Sequence, residues 1–262
     1  MSESSPSTEP VVLGDGELQS DLLEELTEAV NYRSWLVSLA LPYLGDRPLE
    51  VGSGNGDYAA EFAAMGLSIT ASEGEPSRVE QLAQRFESMP DVSVRELALP
   101  VTGHGDYTGV VAYNVLEHIP DDLGAVRSLA GLVRPGGAVV LFVPAFMFAF
   151  SALDARIGHQ RRYRKRDVER LCRTAGLTVE RLHYVNSLGL LAWFVGMRLL
   201  RLSPQSGPFL KLWDSYVIPL LRRLESRLRP PFGQSVFVVA RSGTAANLSP
   251  TRREAATGIR IG

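Results

Sequence analysis

Leu49-Glu50-Val51-Gly52-Ser53-Gly54-Asn55-Gly56 decides the fold. A short apolar run, Pro48–Val51, feeds into three alternating glycines, and Tyr58–Met65 then carries a helical pattern that stops at Gly66. A strand that turns through glycines into a helix is the opening of a βαβ unit, because only glycine turns the backbone so tightly and lets a ligand approach it closely. Downstream the alternation continues. Ser68–Ser72 reads as a second strand ending at Glu73, and Glu75–Met89 as a helix with Val79, Leu82 and Phe86 at helical spacing. Val92–Leu97 and Gly109–Tyr113 read as the third and fourth strands. Asp121 or Asp122 caps a helix carrying Leu123, Val126, Leu129 and Val133, ended by Gly136 and Gly137. Ala138–Val143 is an uninterrupted apolar strand, as expected when helices cover both faces. A helix over Asp167–Ala175 and strands over Leu177–Val185 and Ser235–Arg241 complete the pattern. The expected class is α/β: a doubly wound, mostly parallel sheet, with a helical insertion between the last two strands.

The chain has 262 residues, 45% apolar and 21% charged, which suits one soluble domain. Residues 11–242 are expected to form it, with disordered tails at 1–10 and 243–262. Its net charge of −2 hides an asymmetry: residues 1–155 carry −16, residues 156–229 carry +11. Cys172 is the only cysteine, which excludes an internal disulfide and favours a reducing cytoplasm. No basic-then-apolar leader opens the chain, and the apolar stretch Leu188–Met197 is half the ~20 residues of a membrane span. No nucleic-acid module accompanies the basic segment, so no nucleic-acid partner is expected.

Alone, Gly-x-Gly-x-Gly is equally compatible with a tight turn that binds nothing. Two carboxylates sharpen it. Glu73 ends the second strand at the offset where an acidic side chain accepts ribose hydroxyls; the competing reading is a solvated strand-end glutamate. Glu50, just before the first glycine, would repel a pyrophosphate but suits a cationic ammonium. The dinucleotide pattern also needs glycine where this chain has Asp57. These details favour S-adenosyl-L-methionine over a nicotinamide cofactor.

The segment Leu49–Gly56, with Glu73 and with Asn114-Val115-Leu116-Glu117-His118-Ile119, resembles class I S-adenosylmethionine-dependent methyltransferases with a Rossmann-like sheet, closest to the ubiquinone and menaquinone biosynthesis branch. The resemblance covers roughly residues 30–185 and the last strand. It implies that Glu50 and Gly52 contact the methionine end of the cofactor, with Ser53, Gly54 and Gly56 of the same turn also cofactor-binding. Glu73 would hold the ribose, Glu96 or Leu97 would lie by the adenine, and Asn114 and Leu116 would line the floor. Thr108 departs from the aspartate of many relatives. A narrower resemblance rests on Asn31-Tyr32-x-x-Trp35, Leu153-Asp154, Gly158–Tyr163 and Pro230–Ser235. It points to a little-characterised bacterial methyltransferase group often encoded with, or fused to, glycosyltransferases. That implies a sugar-containing or lipid-linked acceptor.

Methyl transfer asks the enzyme mainly to align donor and acceptor, and an oxygen acceptor also needs a base. His118 follows the fourth strand and His159 the fifth, so both are candidates beside their structural readings; Tyr163 is a third catalytic candidate. His104 reads as a surface-loop residue and His183 as structural. Arg161, Arg162 and Arg164, in the run reaching Arg166, read either as a solvated face or as receptors for an anionic acceptor. Ser187–Pro231 is the distinctive insertion. Leu188–Leu202 holds Trp193, a candidate substrate contact, and Phe209–Leu228 is an amphipathic helix that Pro219 should kink. The insertion reads as a cap, a homodimer face or a peripheral membrane contact. No metal site is expected. A methyltransferase acting by O-methylation on a small-molecule or lipid-linked acceptor is the leading expectation. A non-catalytic binding protein of the same fold and a nucleotide-cofactor oxidoreductase are the rivals.

Overall fold

The computed structural model describes residues 28–199 and 208–243. The expected tails apart from Gly243, the first part of the expected domain and residues 200–207 of the insertion lie outside the described residues. Seven strands run β1 (Pro48–Val51), β2 (Ile69–Glu73), β3 (Val92–Glu96), β4 (Tyr107–Tyr113), β5 (Val133–Pro144), β6 (Thr178–Val185) and β7 (Ser235–Arg241). They form one sheet in the order β3-β2-β1-β4-β5-β7-β6, parallel except for β7. Chain order reverses direction between β1 and β4, so the crevice of an open α/β sheet opens at their carboxyl ends.

Both faces of the central strands are buried. In β4, Val110 and Ala112 enter one core cluster, while Val111 and Tyr113 enter the other. In β5, Val139, Leu141 and Val143 alternate with Ala138, Val140 and Phe142 in the same way. The period-2 side-chain alternation therefore yields uninterrupted apolar strands rather than an apolar/polar pattern. Thr108 ties this centre to the chain before β1: its Oγ1 donates to Leu44 O (2.5 Å) and accepts from Arg47 N (2.8 Å).

The helices are α1 (Val30–Leu44), α2 (Asp57–Ala64), α3 (Pro76–Phe86), α4 (Asp122–Leu132), α5 (Ala152–Arg156), α6 (Lys165–Thr174), α7 (Ser187–Trp193), α8 (Pro208–Leu212) and α9 (Ile218–Glu225). Two boundaries differ from expectation. Asp121 does cap α4 by accepting Gly124 N (2.8 Å), but the helix ends at Leu132, because Val133 already pairs with Tyr107 in the sheet. The helix expected over Phe209–Leu228 is split into α8, a π-helical stretch Trp213–Val217 and α9. Pro219 lies in the first turn of α9, where its missing N–H is tolerated, and the wider stretch precedes it.

The helix α1 was not anticipated, since its apolar residues show no single stripe; Trp35, Leu36, Val37, Ala40 and Leu44 are all buried. Its N-cap residue, Ala29, offers no side-chain acceptor. The buried Asp214 of the insertion substitutes for one: Oδ2 accepts Asn31 N (2.8 Å) and Oδ1 accepts Tyr32 N (2.9 Å). A carboxylate contributed from 183 residues away thus performs the work of a local cap. Asp214→Ala is expected to lower stability by about 1–2 kcal/mol in urea unfolding, because the first turn of α1 loses the acceptor of two backbone N–H groups. An unchanged midpoint would remove the capping role.

Candidate functional site

The glycine turn is built where the crevice opens. Gly52, Gly54 and Gly56 all have left-handed backbones (φ +71°, +54° and +84°). At Gly52 an added Cβ would meet the Val115 side chain at 2.5 Å, so neither conformation nor space admits another residue. Ser53 binds the turn to β2: its N–H donates to Ser72 O (2.9 Å) and its Oγ accepts Ser72 N (3.1 Å). The Glu73 carboxylate accepts Gly54 N (3.0 Å) and Gly74 N (2.8 Å), which fixes it against the turn with lone pairs still to offer. Leu97 is buried beside it, its N–H donating to Glu73 O (2.7 Å), whereas Glu96 is exposed. Asn114 adopts φ +51° at the end of β4, and the buried Leu116 opens a single 3-10 turn, Leu116–His118.

Glu50 is the unusual group. It is 1% exposed, and neither carboxylate oxygen has a hydrogen-bond partner among the described residues. Burial raises its pKa to about 8. Nearby, Tyr58 stacks on Tyr113 at 3.9 Å, Tyr113 stacks on Phe142 at 4.7 Å, and the Tyr113 hydroxyl is also buried without a partner. A buried carboxylate without donors is stabilised by a cation that carries them. An aliphatic ammonium meets that need and a pyrophosphate does not. The glycine turn, Glu50 and Glu73 therefore fit S-adenosylmethionine: ammonium at Glu50, ribose at Glu73.

A second constellation lies after β4 and β5. Ser151 and Asp154 form a capping box at the start of α5, with Ser151 N and Oγ both donating to Asp154 Oδ2 at 2.7 Å. Asp154 Oδ1 lies 2.9 Å from His159 Nδ1 and accepts from Arg162 Nε (2.9 Å). Burial alone would raise the Asp154 carboxyl, but His159, Arg162 and Ser151 outweigh it and hold it at about 2. The opposite ring nitrogen, His159 Nε2, lies 3.7 Å from Glu117 Oε1. Glu117 is fully buried, without a hydrogen-bond partner on either oxygen among the described residues, and burial pushes it to about 7. The His118 ring meets that of His159 edge-on at 4.6 Å; burial, then His159, lowers its pKa to about 4, so it is neutral near pH 7. Glu117, His118 and His159 also present ligand atoms within 4.8 Å of one another and could hold a metal ion.

The remaining candidates are not reagents. Tyr163 is 3% exposed, and its hydroxyl is occupied by Leu116 O (3.3 Å) and Asp122 Oδ2 (3.2 Å), so it braces the turn rather than exchanging protons with an acceptor. The arginine run does not act as a unit. Arg162 is buried and ion-paired with Asp154 at 2.7 Å, and Arg161 pairs with Asp122 at 2.9 Å. Arg164 is exposed, leading into α6. Trp193 lies over the Arg162 guanidinium (4.9 Å) and donates Nε1–H to Ala149 O (3.1 Å), a buttress for the ion pair. Glu117 and Asp154 lie within the Asn114–Ile119 and Leu153-Asp154 segments, which by themselves assign them no role. Ser151-Ala152-Leu153-Asp154 is a capping-box pattern and could have placed Asp154; no spacing signals Glu117.

A family model described as a methyltransferase domain matches residues 20–182. Ubiquinone biosynthesis O-methyltransferases of Albidiferax ferrireducens and Paracidovorax citrulli are each 34% identical to this chain over 110 residues, 40% of its length. The chain spans 43% and 46% of those relatives. Among solved structures, the CcbJ methyltransferase from Streptomyces caelestis matches with a TM-score of 0.52 at 14% identity, covering 81% of this chain and 90% of its own. The [4+2]-cyclase SpnF matches with a TM-score of 0.54 at 16% identity, covering 89% and 98%. At such identities these structures speak for the fold alone.

An ammonium received by Glu50 would make cofactor affinity depend on pH. The raised pKa of Glu50 means that the ionised form is lost as pH falls below about 8, so binding a cation there releases a proton. Affinity for S-adenosylmethionine in calorimetric titration should rise by up to about tenfold per pH unit from pH 6 toward 7.5. Glu50→Gln should bind weakly and lose the slope. A flat wild-type profile would detach Glu50 from the cofactor.

Proposed function

The chain belongs to the methyltransferase-domain family, whose cofactor is S-adenosyl-L-methionine, and on that premise we propose that it methylates an oxygen of a small-molecule or lipid-linked acceptor. The observation that carries this reading is the line Asp154–His159–Glu117 at 2.9 and 3.7 Å, which supplies the base an oxygen nucleophile needs. When bound, S-adenosylmethionine supplies a methyl group already activated by its sulfonium. The chain's own groups do the rest. Glu50 and Glu73 orient the donor from β1 and β2. Asp154 holds the His159 ring through Nδ1, so that Nε2 faces Glu117 and the end of β4. The hydroxyl proton passes to His159 as the acceptor oxygen attacks and the methyl group leaves the sulfur, with His159 the catalytic group, the buried Glu117 carboxylate beside Nε2 balancing the charge the ring gains, and Asp154, Arg162 and Trp193 positioning it. The curated relatives, named as O-methyltransferases, favour oxygen over nitrogen or carbon. A sugar-containing acceptor is favoured by the narrower sequence resemblance alone.

Contact with a membrane surface is the companion proposal. Leu212, Tyr216, Leu220, Leu224 and Leu228 recur every four residues along the insertion and are 47–71% exposed. Exposed Arg222, Arg223 and Arg227 interleave with them. An apolar stripe bordered by arginines suits a helix lying in the interface of an anionic bilayer. Among the described residues no helix is long and apolar enough to cross one.

Two outcomes test these readings. His159→Ala is expected to lower turnover by ~10²–10⁴ with S-adenosylmethionine affinity nearly unchanged. Because Glu117 must be ionised to stabilise a protonated His159, kcat/KM should rise with pH and level off above about 7, and Glu117→Gln should abolish that rise. Formation of S-adenosylhomocysteine at wild-type rate by both variants would leave positioning alone as the mechanism.

Co-sedimentation with anionic vesicles should be strong at low salt and weaker at high salt, and Leu220→Glu should reduce it. If the intact chain fails to bind vesicles at low salt, the stripe is instead a cap or a face for a second copy.

A further inference from the structure

Away from the crevice, a cleft of about 370 Å³ lies between α1, β6, the end of α9 and β7. That volume suits a small ligand. In the sheet order, β6 is four strands from β1, roughly 19 Å across at the usual strand spacing. The cleft shares no residue with the glycine turn or with the Asp154–His159–Glu117 line.

Three arginines from separate elements line it: Arg181 in mid-β6, Arg222 in α9 and Arg229 beyond it. Among the described residues, none of the three forms an ion pair within 4.0 Å. Several other arginines of the basic segment are instead paired, Arg161, Arg162 and Arg173 each having a carboxylate. The single acidic residue in the lining, Glu225, is turned to other work: it accepts Asn186 N (3.0 Å), Ser187 N (2.8 Å) and Ser187 Oγ (2.7 Å), closing the turn from β6 into α7. Between the arginines lies His183, edge-on to Phe237 at 4.9 Å, its Nδ1 buried and without a partner. Burial, then Arg229, Lys165 and Arg181, lower the pKa of this imidazole to about 4. The local field therefore already opposes one more positive charge, as it would beside a site shaped for a negative one. Leu39 and Trp35 supply an apolar wall.

We propose that this cleft binds a phosphate-bearing small molecule, with Arg181, Arg222 and Arg229 around the phosphate and the Leu39–Trp35 wall against its apolar part. A carboxylate is satisfied by one guanidinium fork, whereas a tetrahedral anion with three free oxygens can engage donors arriving from three directions. His183 adds a fourth contact if its proton resides on Nδ1. The ligand chemistry is a phosphate ester, whether a soluble metabolite or the headgroup of a lipid.

Calorimetric titration with sn-glycerol 3-phosphate tests it. Saturable binding is expected, weakened at least about tenfold in Arg222→Ala/Arg229→Ala and also in Arg181→Gln. Arg170→Ala, a charge removed from the remote exposed face of α6, should leave it unchanged. S-adenosylmethionine titration should be the same in every variant, which separates failure of this cleft from failure of the methyl-transfer reading and reports that the variants are folded. Binding of dihexanoyl phosphatidate tenfold or more tighter than glycerol 3-phosphate assigns the site to a lipid headgroup; equal binding assigns it to a soluble ester. No saturable binding of either probe, or equal binding by the wild type and both arginine variants, overturns the proposal.

Discussion

The buried Asp154 carboxylate is the contact through which the acceptor side of the molecule holds together. It accepts from its own helix start at Ser151, contacts the ring of His159 and pairs with Arg162. Arg162 in turn lies against Trp193, at the end of the first helix of the insertion, and Trp193 donates back to Ala149. Loop, His159 ring and insertion are thus joined through one carboxylate. Removing a single partner would strand a charge out of water, at a cost of ~3–5 kcal/mol for a buried pair.

Asp154, Glu117 and Glu50 share nearly complete burial, yet their different neighbours shift their pKa values in different directions or by different amounts. Asp154 receives hydrogen bonds and a guanidinium and is held at about 2. Glu117 has His159 and Arg162 only as nearby charges, and burial leaves it at about 7. Glu50 has no cation to offset its desolvation and rises to about 8. The proposed roles follow that order: Asp154 as the ionised positioning group, Glu117 as the charge partner of His159, and Glu50 as the acceptor of a cationic ligand.

The parts of this arrangement that local chemistry dictates were legible in the sequence. The glycine turn, the strand-end Glu73 and the apolar strands each follow from backbone or periodicity rules that operate within a dozen residues. What could not be read depends on distant partners. The helix α1 lacks an apolar stripe because it is buried on several sides, and its cap comes from Asp214. Tyr163 resembled a reagent until its hydroxyl was seen engaged by Leu116 and Asp122. Arg162 resembled a surface cation until it was found buried. The Phe209–Leu228 periodicity was real, yet a π-helical stretch before Pro219 shifts the residues that meet the core.

Charge counting illustrates the same limit. The net +11 of residues 156–229 reads as a localised basic surface, and the run at Arg161–Arg166 is a dense part of that segment. Ion pairing quenches much of that run, because Asp122, Asp154 and Asp167 sit within reach of it. The insertion has few acids to do the same: Asp214 is spent on the α1 cap and Glu225 on the turn into α7. Both acids are committed to backbone N–H groups, so Arg222, Arg223, Arg227 and Arg229 keep their charge exposed beside an apolar stripe. The positive field therefore resides on the insertion as a direct consequence of how the insertion is fastened to the fold.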